Sequence, residues 1–195
     1  MEPNIGVIGR ARAGKDTAGQ WLVDTHGYER VAFADPLKEA ALKLDPVVMG
    51  SMRYGDTPYR LSSAVRSSGW EEAKDLFPEV RRILQELGAA VRAIDEDFWL
   101  RAAVERVLEA NEADHPVVIT DVRYPNEVAS LRRAGFALLY IHRPGVAQLD
   151  HASERLTPED ADYLICNDQS ISDLNRELAI FHDRAFRGAL LTTGV

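Results

Sequence analysis

The segment Gly9-Arg10-Ala11-Arg12-Ala13-Gly14-Lys15-Asp16-Thr17 carries the spacing G-x-x-x-x-G-K, the P-loop pattern that wraps a backbone around phosphate oxygens. The chemistry it suits is the binding and transfer of phosphoryl groups. Glycines let the backbone curl so that successive N–H groups, those of Arg12, Ala13 and Gly14 among them, converge on one anion. The start of the following helix adds partial positive charge, and Lys15 supplies a compact cation for the terminal phosphates. A plain structural glycine turn is the competing reading, but it does not require the strand-before, helix-after setting found here. The strict pattern places Ser or Thr directly after the lysine as a Mg²⁺ ligand, whereas here Asp16 intervenes and Thr17 follows. A carboxylate suits a helix N-terminus yet repels a triphosphate. Thr17 is therefore expected to take the direct metal role, with Asp16 turned away or acting through metal-bound water.

A second element points to the same chemistry. Val117-Val118-Ile119-Thr120-Asp121 is an apolar run closed by a carboxylate, the form of a strand whose terminal Asp holds Mg²⁺ or its waters beside a phosphate loop. A mere turn cap is the alternative for Asp121. Arg123 follows two residues on and is expected to emerge from the same edge toward phosphate, while Pro125-Asn126-Glu127 starts a helix and is read as structural. His26, His115, His142, His151 and His182 are read as too scattered to form a ligand set. No Ser-His-Asp set or Cys/His cluster competes. A phosphate acceptor is already ionised at neutral pH, so no general base is required, and catalysis can rest on positioning and charge neutralisation.

The elements that must position these residues alternate strand with helix. Residues 4–8 read as a buried strand, 15–26 as a helix, and 31–34 as a short strand followed by a helix start at Asp35-Pro36. Residues 45–69 are rich in Gly, Pro, Ser and Arg without a clean period and read as an irregular excursion. Helical spacing returns at Ile83, Leu87, Val91 and Ile94 and again at Trp99, Ala103 and Val107, beside Leu100, Val104 and Leu108. Helix over 127–134, strands over 136–142 and 162–166, and a closing helix marked by Leu174, Leu178, Phe181 and Ala185 complete the chain. Strands separated by helices imply a parallel sheet covered on both faces. With no repeat or linker, one domain is expected.

Composition sets bounds. The chain has 195 residues and a formal charge of −8, an acidic balance unlike a surface that coats nucleic-acid polymers. Cations for phosphate must then be gathered locally, and 19 of the 23 basic residues are arginine, whose planar fork matches phosphate oxygens. No apolar run reaches the length of a membrane span. Met1-Glu2-Pro3-Asn4 has neither the basic start nor the apolar stretch of a signal peptide. A single cysteine, Cys166, can form no internal disulfide. A reducing cytosol is the expected compartment.

Six motifs, in order, resemble those of the bacteriophage-type deoxynucleoside monophosphate kinases: G-R-A-R-A-G-K-D-T at 9–17, F-A-D-P-L-K at 33–38, R-R-I-L-Q-E-L-G at 81–88, D-E-D-F-W at 95–99, D-V-R-Y-P-N-E at 121–127 and H-A-S-E at 151–154. The resemblance spans most of the chain, leaving the stretch near 44–70 and the C-terminal tail uncovered. It implies an α/β, three-layer P-loop kinase-like fold with a five-stranded parallel sheet, a helical substrate-binding region over about 36–100 and a lid over about 144–160. It implies ATP and Mg²⁺ as cofactors, a deoxynucleoside monophosphate as acceptor, and the cytoplasm of the host if the chain is of phage origin. Carried over, Lys15 and Thr17 serve the triphosphate, Asp121 the metal, and Asp35 and Lys38 the acceptor. Arg82 and Gln85, three residues apart and so on one helix face, would grip the acceptor, with Arg81 as the competing arginine. Arg143, His151, Ser153, Glu154 and Arg155 resemble lid material that approaches the transferring group only on closure. Arg53, Arg60 and Arg66 are weaker candidates, and Tyr54 and Trp70 flank the excursion where a base could stack; Trp21, Trp99 and Phe181 are read as core. A homodimer is left open.

Two other readings belong beside this one. A kinase for another small phosphorylated metabolite, such as phosphomevalonate or dephospho-coenzyme A, shares every feature of the loop. A P-loop ATPase or switch protein would need a water-positioning residue that the sequence does not reveal, and a nucleotide-binding module without chemistry would keep Lys15 yet tolerate loss of Asp121 and Arg123.

Overall fold

A computed structural model describes residues 2–50, 58–146 and 155–192. Five parallel strands form the main sheet: β1 (Ile5–Ile8), β2 (Glu29–Val31), β5 (Val117–Val122), β6 (Ala137–His142) and β7 (Tyr163–Cys166), in spatial order β2-β5-β1-β6-β7. β1 lies at the centre, with Ile5 opposite Val118 on one side and Ala137 on the other. Alternation of side chains gives this strand two buried faces. Ile5 and Val7 join Val118, Leu139 and Ile141 in a cluster under α1 (Lys15–His26) and α7 (Ile171–Thr192), to which Leu22, Leu174, Leu178 and Phe181 contribute. On the opposite face a side chain at Gly6 would come within 2.7 Å of Leu138 and 3.0 Å of Leu131, the latter from α6 (Pro125–Arg133), so both leucines pack directly on the strand. Helices on both faces of a parallel sheet are the expected three-layer α/β arrangement.

The chain folds into two compact units, one of residues 1–33 with 103–195, the other of residues 34–102. The second unit holds α2 (Ala34–Leu44), a two-stranded antiparallel ribbon of β3 (Val47–Met49) and β4 (Tyr59–Arg60), α3 (Leu61–Leu76) and α4 (Pro78–Ile94). α5 (Phe98–Glu112) begins in it. Its own core gathers Ala41, Val48, Leu61, Ala64, Ala73 and Val80, with Trp70, Phe77, Ile83 and Leu87 packed against them.

The region expected to be irregular is therefore largely ordered. α3 occupies 61–76, and Gly69, with φ 73° and ψ 173°, breaks it into two helical stretches. That break, together with four serines and an exposed arginine, erased the helical period from the sequence. Its start is fixed by Asp45, whose carboxylate accepts the Ser62 N–H at 2.8 Å. This bond, with Arg60 and Arg66 nearby, holds the Asp45 carboxyl below its ordinary range. Ile94 and Leu108, which mark the helical spacing in the sequence, are exposed. Trp99 and Phe181 are buried as expected, and Trp21 packs partly buried against the first cluster. No helix among the described residues is long and apolar enough to cross a membrane.

Candidate active site

The loop after β1 takes the conformation its sequence requires. Gly9 and Gly14 have φ of 148° and 109°, and Arg12 is left-handed at 64°, a backbone that glycine adopts without strain and other residues rarely do. A side chain at Gly9 would lie 2.5 Å from the Ile141 carbonyl oxygen, and one at Gly14 2.5 Å from Asn167 Nδ2. The curl closes with the Ala13 N–H donating to the Arg10 carbonyl at 3.2 Å. Lys15 is the first residue of α1, and its ammonium donates to the Arg10 carbonyl at 2.7 Å. Backbone donors, helix terminus and cation thus share one short segment, the combination that binds phosphate.

Two supports for this loop were not legible in the sequence. Asn167, buried just beyond β7, donates Nδ2 to the Ala13 carbonyl at 2.8 Å. Arg10 donates to the Val146 carbonyl at 3.2 Å. Since the Asn167 amide is the buried partner of a loop carbonyl, Asn167→Ala is expected to cost about 1–3 kcal/mol of stability. It is also expected to raise KM for the nucleotide more than it lowers kcat. Thermal melts and steady-state kinetics read both.

Asp16 turns toward the sheet edge. Its Oδ1 accepts from Arg30 Nη2 at 3.1 Å and from the Thr120 hydroxyl at 3.4 Å, and Arg30 Nε also donates to Thr120 Oγ1 at 3.3 Å. Arg30 and Thr120 therefore answer the question raised by the extra carboxylate: a guanidinium offsets its charge. The Asp16 side chain is 83% exposed, so this pair is a tether more than a source of stability. Thr17 follows in the first turn of α1, exposed.

Asp121 lies one residue before the end of β5 and accepts the Phe33 N–H at 2.9 Å. This bond ties the end of β5 to the chain leaving β2. Arg123 has an exposed side chain, and its own N–H donates to Glu127 Oε2 at 2.7 Å, beside the Tyr124 N–H at 3.0 Å to the same oxygen. Glu127, 3% exposed, is thus the structural residue it was read to be, capping α6 and fixing the backbone that carries Arg123. Glu127→Ala strands two N–H groups and is expected to cost about 1–3 kcal/mol, which a chain of this size shows as a Tm lower by several degrees. Arg143 and Arg155 are exposed, at either side of residues 147–154. His151, Ser153 and Glu154 lie outside the described residues, as do Arg53 and Tyr54.

Within the second unit, α2 and α3 bring three of the candidate residues together. Lys38 Nζ is 3.6 Å from an Asp35 carboxylate oxygen and 5.9 Å from the centre of the Trp70 ring, within the range of a cation–π contact. Lys74, which carried no signal in the sequence, donates to Glu71 at 2.6 Å. That hydrogen bond, with Lys38 and Arg81 nearby, holds the Glu71 carboxyl below its usual range. Arg81 pairs with Asp75 at 3.1 Å. Arg82 forks onto Glu79 at 2.8 and 2.5 Å, and this pairing raises the guanidinium further above its ordinary range. Gln85 is exposed on the same helix, and Arg60 donates to the Asp45 carbonyl.

A family model described as deoxynucleotide monophosphate kinase matches residues 60–178. That span begins after the phosphate loop, so the loop and the family match are independent observations. A putative deoxynucleotide monophosphate kinase of Acanthamoeba polyphaga mimivirus is 28% identical over 197 residues, covering 93% of this chain and 96% of that protein. The deoxynucleotide monophosphate kinase of Escherichia phage RB69 is 29% identical over 100 residues, 49% of this chain and 41% of that protein. Among solved structures, dephospho-CoA kinase from Campylobacter jejuni aligns over 97% of this chain and 100% of its own, with a TM-score of 0.53 and 14% identity, a likeness of fold alone.

Proposed function

The chain belongs to the deoxynucleotide monophosphate kinase family, and from that premise we propose that it transfers the γ-phosphoryl group of ATP to a deoxynucleoside 5′-monophosphate. The observation that carries the reading is Lys15, set at the first residue of α1 behind a loop curled by Gly9 and Gly14. An ionised oxygen of the acceptor phosphate forms a bond to the γ-phosphorus while the bridge to the β-phosphate breaks, its electron pair leaving on ADP. Little covalent chemistry falls to the protein, whose part is positioning and charge neutralisation.

Lys15 and the N–H groups of Arg12 and Gly14 hold the triphosphate in this reading, while the Ala13 N–H, bonded to the Arg10 carbonyl, shapes the loop around it. Arg123 meets charge developing on the transferred group, and Arg143 and Arg155 are further cations for it in this reading. The hydroxyl of Thr17 and the carboxylate of Asp121 are hard oxygen donors, a set that fits Mg²⁺, with Asp16 held on Arg30 at 3.1 Å. When bound, Mg²⁺ would neutralise phosphate charge there. Asp35, Lys38 and Gln85 serve the acceptor, with Trp70 beside Lys38 available to stack on a base. Both arginines of α4 are held by carboxylates, Arg82 by Glu79 and Arg81 by Asp75. Arg82 is kept as the arginine of this reading at the acceptor phosphate, with Arg81 as its competitor.

ADP release from ATP and Mg²⁺, measured against each common dNMP and NMP, tests this reading. Release that depends on one or more dNMPs is expected. Equal release with no acceptor would instead establish an ATPase, and release only with phosphomevalonate or dephospho-coenzyme A would establish a metabolite kinase.

A further inference from the structure

Two of the histidines read as scattered, His26 and His182, meet in the fold. His26, the last residue of α1, and His182, in the middle of α7, stack with ring centres 3.7 Å apart and planes 25° apart. Glu2 reaches the same point, its carboxylate 3.2 Å from His182 Nε2. One ligand-type atom from each of the three side chains lies within 4.8 Å of the other two. They border a surface depression shared with Ala179, Asp183 and Phe186. This place is on the far end of α1 from Lys15, and nothing in the phosphoryl-transfer machinery uses it.

We propose that Glu2, His26 and His182 form a binding site for a divalent transition-metal ion of the Zn²⁺ type. Two imidazoles and one carboxylate are a donor set that suits Zn²⁺, usually four-coordinate, and disfavours Mg²⁺, which takes oxygen ligands. Three protein ligands leave the fourth position to water. Asp183 is engaged by Arg187 at 3.0 Å, so it is not assigned to the set.

The rings are partly positioned in advance. Trp21 and His26 meet at a steep angle with ring centres 5.1 Å apart, and Tyr28 and His182 likewise at 5.8 Å. Tyr28 is in turn fixed by donating its hydroxyl to the Pro3 carbonyl at 2.8 Å. His182 is buried, while His26 and Glu2 are half-buried and can tilt. Ligand atoms around a tetrahedral Zn²⁺ sit about 3.3 Å apart, from bonds of roughly 2.0–2.1 Å, so the set must draw in from separations of up to 4.8 Å, and His26 must tilt out of its stack on His182 for both lone pairs to converge. That movement falls on the two side chains with room to make it. The ion would join three separate parts of the chain: its first residues, the end of α1 and the long closing helix.

The test uses the full chain, free of any affinity tag, with Cys166→Ser removing its exposed thiol. After stripping with chelator, calorimetry with Zn²⁺ alone is expected to show one equivalent bound at micromolar Kd. Zn²⁺ should also raise Tm by several degrees, an effect that millimolar Mg²⁺ does not reproduce. His26→Ala, at a half-buried position, and Glu2→Gln should each weaken Zn²⁺ binding at least tenfold while leaving ADP release with nucleotide and Mg²⁺ unchanged. No saturable binding below 100 µM Zn²⁺, or binding undiminished in both variants, would overturn the proposal. Because the readout is metal binding and not turnover, its outcome is separate from that of the kinase assay.

Discussion

Lys15→Ala is expected to lower kcat/KM by more than 100-fold, at least about 3 kcal/mol of transition-state stabilisation, on the scale of a preorganised group aimed at developing charge. The geometry makes the loss specific. The Lys15 ammonium reaches the Arg10 carbonyl of its own loop at 2.7 Å, but that carbonyl also accepts the Ala13 N–H, and the glycines and Asn167 support the curl besides. The variant should therefore fold with its Tm little changed, and calorimetry should show weaker binding of ATP. Turnover within tenfold of the parent would remove Lys15 from the catalytic set, and with it the reading of the loop as a triphosphate site.

Arg123→Ala carries the second large effect, also at least about 3 kcal/mol in kcat/KM. Its side chain is exposed, and the bond from its N–H to Glu127 at 2.7 Å belongs to the backbone. Removing the guanidinium thus leaves the cap of α6 intact, and Tm should hold within a degree or two. Comparison with Glu127→Ala separates the two roles: loss of the cap lowers stability first, loss of the guanidinium lowers rate first. Arg123→Lys adds a further check, because a point charge restores the sign but not the planar fork. If Arg123→Ala turns over normally while Glu127→Ala is the poorer enzyme, the residue is a backbone anchor and nothing more.

What could be read in advance was local. The loop at 9–17 and the strand ending near Asp121 are contiguous motifs whose physical purpose follows from a dozen residues. The parallel sheet followed from alternation of strand and helix. α3 was hidden because Gly69 interrupts it and serines fill one stretch, so no period survived. The supports of the site were hidden for another reason. Asn167 meets Ala13 across 154 residues and Thr120 meets Asp16 across 104, and no spacing along the chain announces such a meeting. The stacking of His26 on His182 belongs to the same class, since only the packing of α7 beside α1 makes them neighbours.

The parallel pairing of β2 with β5 has a consequence for how the molecule is made. Val31 sits opposite Ile119, so the first of these strands leaves the ribosome long before its partner exists. The intervening segment is not idle chain, since residues 34–102 hold a core of their own. Joining distant strands is slow chiefly because free chain must be confined, and an insert that has already collapsed removes much of that freedom. Weakening the insert's core, for instance at Leu61, should therefore delay assembly of the nucleotide-binding sheet during refolding, although no residue of the sheet has been touched.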